Sequence, residues 1–339
     1  MHAFKRDLAA LRDVRTTPDD LDLPLEDDIN LPPRTAWGAF ACLIRAGAVA
    51  ALSVPMLVGT VLAWWHTGDF ELIRFLFLTF SLLTYITALH LLSDVVDYRR
   101  CRDIEDASVG EPCVGGFCLI AYGLVPPGAV RAIGVLALLV SMFSTAALTY
   151  LAGWPVLFFY TLQLLLGLAA LIKPLRFAYR VWLYEEVSAF FAFGLLPVLT
   201  AFYAQSGSLT MTAVWTGVLF GFLCLTTVHN YNLVYYRRDW LSRKHTLAVL
   251  VGAERGIDLS ALLVLVGLSS VVALVSFRIL PLWALLVLGA LPVALNNYGQ
   301  INREYLNSED CFTAYRSVIH ATVLTGILFT AALMLDSLL

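Results

Sequence analysis

Long apolar runs separated by polar segments set the pattern of this chain. A helix that crosses a bilayer needs about 20 mostly apolar residues. Nine stretches meet that rule, at about 45–65, 74–95, 129–151, 154–172, 186–204, 211–230, 257–277, 279–297 and 315–337. The third and fourth runs, and the seventh and eighth, are separated by only a few residues, which predicts helical hairpins turning at a membrane face. Pro55, Pro197 and Pro292 fall inside apolar runs. Membrane helices tolerate proline and commonly bend there. The pattern predicts an all-α membrane protein with nine spans.

The polar segments alternate in length. Those at about 97–128, 173–185, 231–256 and 298–314 are long, and the others are little more than turns. Of the 22 Lys and Arg residues, all but Arg74 and Arg278 fall on the long-loop side if the spans alternate. The positive-inside rule then predicts a cytoplasmic N-terminus and an outside C-terminus. Residues 1–36 are charged and Pro-rich without an apolar signal core, and read as a cytoplasmic tail with a short surface helix at about 4–14. Residues 37–339 form the transmembrane domain. Trp64, Trp65, Trp154 and Trp283 lie near the predicted outside boundaries, where aromatic belts form.

Composition agrees with a membrane protein. The 339 residues are 60% apolar and 14% charged, against about 45–50% and about 25% in soluble domains. The net charge of −3 says little. The six cysteines form no CxxC pair or metal-spaced set. Cys113 and Cys118 lie close together in a Gly-rich cytoplasmic loop, where two free thiols are expected. The basic loops lack aromatic interleaving, so nucleic-acid binding is not expected.

Charge at the end of a membrane helix is costly and is rarely idle. "LHLLSDVVDYRRCRDIED" (Leu89–Asp106) begins inside the second span and places Asp94 and Asp97 three apart, on one helix face, with Asp103 beyond the expected helix end. Carboxylates without His or Cys at metal spacing favour a hard cation such as Mg²⁺, which takes one or two carboxylates, waters and substrate phosphate oxygens. A solvated helix end paired with Arg99, Arg100 and Arg102 would look the same. A second polar cluster, "TVHNYNLVYYRRDWLSRKHTLAVLVG" (Thr227–Gly252), ends the sixth span with His229, Asn230 and Asn232, followed by Arg237, Arg238, Asp239, Arg243 and Lys244. Carboxylates in one cluster and guanidinium and ammonium groups in the other suit a metal-bound phosphate.

Asp94-x-x-Asp97 followed by Asp103 resembles the first Asp-rich motif of the UbiA superfamily of intramembrane prenyltransferases, and "RKHTLAVLVG" (Arg243–Gly252) resembles the segment after its second. "VPMLVGTVLA" (Val54–Ala63), "VGGFCLIAYGLVPPGAV" (Val114–Val130) and "EEVSAFFAFGLLPVLTAFYAQSG" (Glu185–Gly207) are similar to the 1,4-dihydroxy-2-naphthoate polyprenyltransferase branch of menaquinone biosynthesis. The likeness runs from about residue 40 to the C-terminus in order and spacing.

The resemblance implies a nine-helix bundle around a central cavity in a bacterial cytoplasmic membrane. It implies Mg²⁺, an isoprenyl diphosphate, an aromatic, quinone-precursor-like acceptor and surrounding membrane lipid as partners. On this reading Asp94, Asp97 and Asp239 carry catalysis by holding metal, with Asp103 as a further ligand. His90, Ser93, Glu186, Asn232, Tyr235, Arg238, Arg243 and Lys244 bind substrate. The chain also departs from the pattern. Ser93 and His90 stand where Asn is common, Cys101 where Gly is usual, and Tyr235 where the second motif usually has an acid four residues before Asp239. Either positive charge has moved to Arg238, Arg243 or Lys244 and one metal suffices, or the chemistry has changed. The alternatives are a cyclase acting on an isoprenyl diphosphate without an acceptor and a non-catalytic lipid- or quinone-binding relative. Glu185, Glu186 and Tyr179 either line the cavity mouth or are ordinary helix-start residues. His320 is expected to be a hydrogen-bonded packing residue of the last span.

Overall fold

The computed structural model describes residues 32–33, 35–104, 111–296, 298–299, 301 and 308–338. The expected surface helix at about 4–14 lies outside them. Among the described residues there are helices and no strand. A short α1 (Ala36–Leu43) leads into α2 (Ala46–Thr67) and α3 (Leu72–Cys101). The short α4 (Gly116–Ala121) then precedes α5 (Pro127–Ala152) and α6 (Trp154–Leu171). Next come α7 (Tyr184–Ser206) and α8 (Met211–Val234), then the short α9 (Tyr236–Leu241) and α10 (Leu247–Val251). The chain finishes with α11 (Ala253–Ser276), α12 (Leu282–Leu295) and α13 (Ser308–Leu338).

Eight of these helices are long and apolar enough to cross a bilayer, among the described residues. At the place of the predicted eighth span, α12 is shorter: a 3₁₀ stretch, Leu282–Ala290, passes into α-helix at Leu291–Leu295, with Pro292 at the junction. Pro292 cannot donate to a preceding carbonyl, so it suits the first turn of the α-helical part. Pro197 likewise sits just after a wide π-turn, Phe190–Leu195, inside α7. The expected hairpins are present: α5 and α6 are joined by Gly153 alone, and α11 and α12 by residues 277–281.

The helices pack where small residues let backbones approach. A Cβ at Gly194 of α7 would lie 2.3 Å from the Cα of Gly221 of α8, and one at Gly59 of α2 would lie 2.5 Å from the Val198 carbonyl oxygen of α7. Interhelical hydroxyl bonds join α3, α5 and α6: Ser81 with Thr145 at 2.6 Å and Ser141 with Tyr160 at 2.8 Å. The outer face of α5 exposes Leu136, Leu139 and Phe143, as a lipid-facing helix would.

The end of α3 positions the site, as the spacing of its acids predicts. α3 continues to Cys101, past the end of its apolar run, so Asp97 remains helical while Asp103 leaves the axis. The N-terminal ends of α2, α7 and α13 and the C-terminal ends of α3 and α8 meet at one end of the bundle. Residues 111–118 and 235–247 close over them.

Candidate active site

Asp94 and Asp97 both turn inward from α3 and are buried. Arg45, the residue before α2, pairs directly with Asp94 and is itself buried. Its backbone is left-handed, φ 53°, an uncommon conformation for an arginine, and the buried ion pair helps to hold it. Asp94 also accepts from the Gly116 N–H at 2.7 Å. The Arg45 guanidinium lies 4.3 Å from the Tyr231 ring centroid.

Asp97 accepts a 2.5 Å hydrogen bond from the Tyr179 hydroxyl and lies 3.6 Å from Lys244 Nζ. That same ammonium lies 2.9 Å from Glu185 Oε1. Burial alone would lower the Lys244 pKa, but Asp97 and Glu185 beside it outweigh burial and hold it well above its usual value. Burial, then Asp97, push the Tyr179 phenol well above its ordinary range, so it keeps its proton and donates. Glu186 is buried and takes 2.8 Å and 2.9 Å hydrogen bonds from Asn232 Nδ2 and the Leu247 N–H.

The second motif is arranged around a buried arginine. The Arg238 guanidinium sits between the rings of Tyr235, at 4.0 Å, and Phe117, at 4.6 Å. Its nearest carboxylates are Asp239 at 3.7 Å and Glu111 at 3.8 Å. Both of its terminal nitrogens lack a hydrogen-bond partner, as does Asp239 Oδ2. Burial pushes the Asp239 carboxyl up to about 7, although Lys244 and Arg238 oppose the shift. The Tyr235 hydroxyl donates 3.0 Å to the Pro112 carbonyl. In place of an acid, this position therefore carries an aromatic platform for Arg238 and an anchor for the 111–118 loop.

Arg45, Glu185, Tyr231, Asn232 and Lys244 of this network line a cavity of about 100 Å³, with Asp94 and Asp97 paired to its two cations from behind. Its polar end includes Arg45, His90, Ser93, Glu185, Asn232 and Lys244. Its walls are apolar, among them Leu52, Leu89, Ala170, Leu171 and Phe193. Of the residues singled out in the sequence, Asp94, Asp97, Glu186, Asn232, Arg238, Asp239 and Lys244 come together as a buried cluster, and His90 and Ser93 face the same cavity. Two do not join it. Asp103 is largely exposed and pairs with Arg102, because α3 ends two residues earlier. Arg243 is exposed, at a left-handed turn with φ 56°.

Two further expectations are corrected, and one open alternative is resolved. Cys113 and Cys118 are joined in a disulfide, with Cα atoms 5.3 Å apart. The turn at Gly115 and Gly116, which docks on Asp94, folds the loop back and brings the two cysteines together. His320 is exposed on the outside of α13, away from the cavity and from any packed interface. Glu185 and Tyr179 are part of the buried network and not mere helix-start residues. Arg45 is not among the candidate residues that the sequence singles out. Its signal was a lone charge within "ACLIRAGAVAAL", where an unpaired cation would be expensive.

Residues 52–319 match the UbiA prenyltransferase family. The chain belongs to that family. It is a UbiA-type prenyltransferase, and its helices embed it in a membrane. The 1,4-dihydroxy-2-naphthoate octaprenyltransferase of Bacillus subtilis (strain 168) is 24% identical over 301 residues, 87% of this chain and 91% of that one. Solved structures share the fold. A UbiA homolog from Archaeoglobus fulgidus bound to GPP and Mg²⁺ has a TM-score of 0.58 at 16% identity, covering 88% of this chain and 99% of that one. The apo UbiA homolog from Aeropyrum pernix K1 has a TM-score of 0.59 at 14% identity, covering 86% and 98%.

The cluster in this UbiA chain fits a magnesium ion. Its donors are all carboxylate oxygens, and Asp239 Oδ2 is buried without a partner. Among the described residues no three potential ligands form a protein-only metal cage. Mg²⁺ does not require one, since waters and substrate phosphates complete its octahedron.

Proposed function

We propose that this protein transfers the prenyl group of an isoprenyl diphosphate to an aromatic, quinone-precursor-like acceptor within the membrane, with Mg²⁺ as cofactor. One observation carries the reading: the buried cations Arg45 and Lys244, each paired with a carboxylate, close the polar end of an apolar-walled cavity. Asp94, Asp97 and Asp239 are the residues that would hold Mg²⁺. The ion, when bound, neutralises diphosphate charge and so favours its departure. Arg238, Lys244 and Asn232 offer N–H donors to the same anion. The apolar walls receive the isoprenoid and exclude water, which strengthens every charge interaction at the floor. His90, Ser93 and Glu186 are placed to orient the acceptor. The GPP- and Mg²⁺-bound relative and the naphthoate octaprenyltransferase relative support this assignment.

We also propose that α12 crosses the bilayer as a ninth span. Nine residues of 3₁₀ helix and five of α-helix reach about 26 Å, close to the ~30 Å hydrocarbon thickness. Nine spans put the termini on opposite sides, and the excess of Lys and Arg in the long loops assigns residues 1–36 to the cytoplasm and the C-terminus to the outside, with residues 37–339 forming one domain in a bacterial cytoplasmic membrane.

The test is diphosphate release by purified protein supplied with Mg²⁺ and prenyl diphosphates of several lengths. Release that requires an aromatic acceptor supports the proposal. Release without one, giving a cyclic hydrocarbon, identifies a cyclase. Absence of release under every condition, unchanged in Asp94→Asn, overturns both enzymatic readings.

A further inference from the structure

A second polar concavity lies behind the site, on the far side of Tyr179. It is a cleft of about 500 Å³ lined by Arg100, Lys173, Pro174, Arg176, Tyr179 and Arg180. Four of the six are cationic, and none is acidic. Among the described residues none of the four pairs with a carboxylate, in contrast to Arg45, Arg238 and Lys244. Arg100 uses one nitrogen on the Ser242 carbonyl at 3.3 Å, and Arg180 donates to the Pro174 carbonyl. Arg176 adopts a left-handed backbone, φ 44°, and its Nε is buried without a hydrogen-bond partner.

The positive-inside rule accounts for Lys and Arg in such loops, but not for their convergence. Arg100 ends α3, while Lys173, Arg176 and Arg180 follow α6, so two segments distant in sequence bring like charges to one cleft. Like charges held together without a counter-charge repel, and an anion relieves that repulsion. The same loop exposes Ile172, Leu175, Val181 and Trp182. Basic side chains interleaved with exposed apolar ones, beside a tryptophan, are what the headgroup level of a membrane selects.

We propose that this cleft binds the phosphate of an anionic membrane lipid, with its acyl chains lying along Ile172, Leu175 and Trp182. The site is distinct from the cavity above Asp94 and Asp97, yet one side chain separates them. Arg100 lies 4.3 Å from the Tyr179 ring centroid, and the Tyr179 hydroxyl bonds Asp97 at 2.5 Å. A phosphate held by Arg100 and Arg176 fixes the face of Tyr179 that supports Asp97.

The experiment is native mass spectrometry of the full chain after exchange into an equal mixture of phosphatidylglycerol and phosphatidylcholine. Wild type is compared with Lys173→Gln/Arg180→Gln, which alters two exposed side chains, and with Arg131→Gln, an exposed arginine on α5 outside the cleft. Expected results are preferential retention of phosphatidylglycerol, a loss of about 25-fold in the double variant at about fivefold per charge, and no change in Arg131→Gln. An unchanged melting temperature shows that the double variant remains folded. Equal retention of the two lipids by wild type, or equal retention by wild type and the double variant, overturns the proposal. A parallel arm titrates lipid-free protein with millimolar inorganic phosphate. Saturable binding lost in the double variant, with no lipid preference, keeps the phosphate chemistry but overturns a lipid as its source.

Discussion

Lys244 is the cation on which the acidic wall of the cavity depends, and replacing it tests the charge network directly. Its ammonium lies 2.9 Å from Glu185 and 3.6 Å from Asp97, with all three side chains largely buried. At an effective dielectric of about 20, each contact is worth roughly 5 kcal/mol of gross attraction. Desolvation offsets most of it, but removing one partner leaves uncompensated buried charge, which costs about 3–5 kcal/mol. Lys244→Met should therefore lower the melting temperature by about 5–10 °C, since 1 kcal/mol corresponds to roughly 2–4 °C at about 150–250 residues and to less in this longer chain. The assay is thermal unfolding in detergent followed by tryptophan fluorescence. Adding Glu185→Gln removes the carboxylate left closest to the missing ammonium. The double variant should recover at least half of the lost stability, a coupling of about 2 kcal/mol by double-mutant cycle. Additive losses, or a Lys244→Met protein as stable as wild type, would refute the pairing.

Three other outcomes follow from the geometry. Tyr235→Phe removes the bond to the Pro112 carbonyl and should cost about 1 kcal/mol, with faster hydrogen exchange in residues 111–118; unchanged exchange would deny the anchor role. Alkylation of unfolded, unreduced protein should label the four cysteines Cys42, Cys101, Cys224 and Cys311, with reduction adding Cys113 and Cys118 by mass. Burial raises the Glu111 carboxyl to about 7 from an ordinary 4.5. A raised acid binds its proton more tightly when folded, so its contribution favours the fold below pH 4.5 and is lost as pH rises through 7. Glu111→Gln should flatten the fall in melting temperature over that window; a profile identical to wild type would show that Glu111 does not titrate there.

Much of the architecture was legible because a bilayer imposes one simple rule, a run of apolar residues per crossing. Helix positions such as 154–172 against Trp154–Leu171 therefore agree closely. The ends were less legible. Hydropathy stops where charge begins, at about residue 95, whereas α3 runs on to Cys101 and carries Asp97 with it, under cover of the 111–118 loop. The length of α12 was hidden for a related reason, since apolarity does not distinguish a 3₁₀ helix from an α-helix.

Composition, hydropathy and motif spacing specify an all-α membrane protein with its polar chemistry at one end, and motifs that resemble those of UbiA prenyltransferases. These are local properties, carried by composition, periodicity and spacing along one strand of chain. The pairing of charges is set by packing. Arg45 meets Asp94 across 49 residues, Lys244 joins Asp97 to Glu185, and Tyr235 turns to the 111–118 loop. Ion pairing depends on distances of a few ångströms and on exclusion of water, and both arise only when helices remote in sequence are packed side by side.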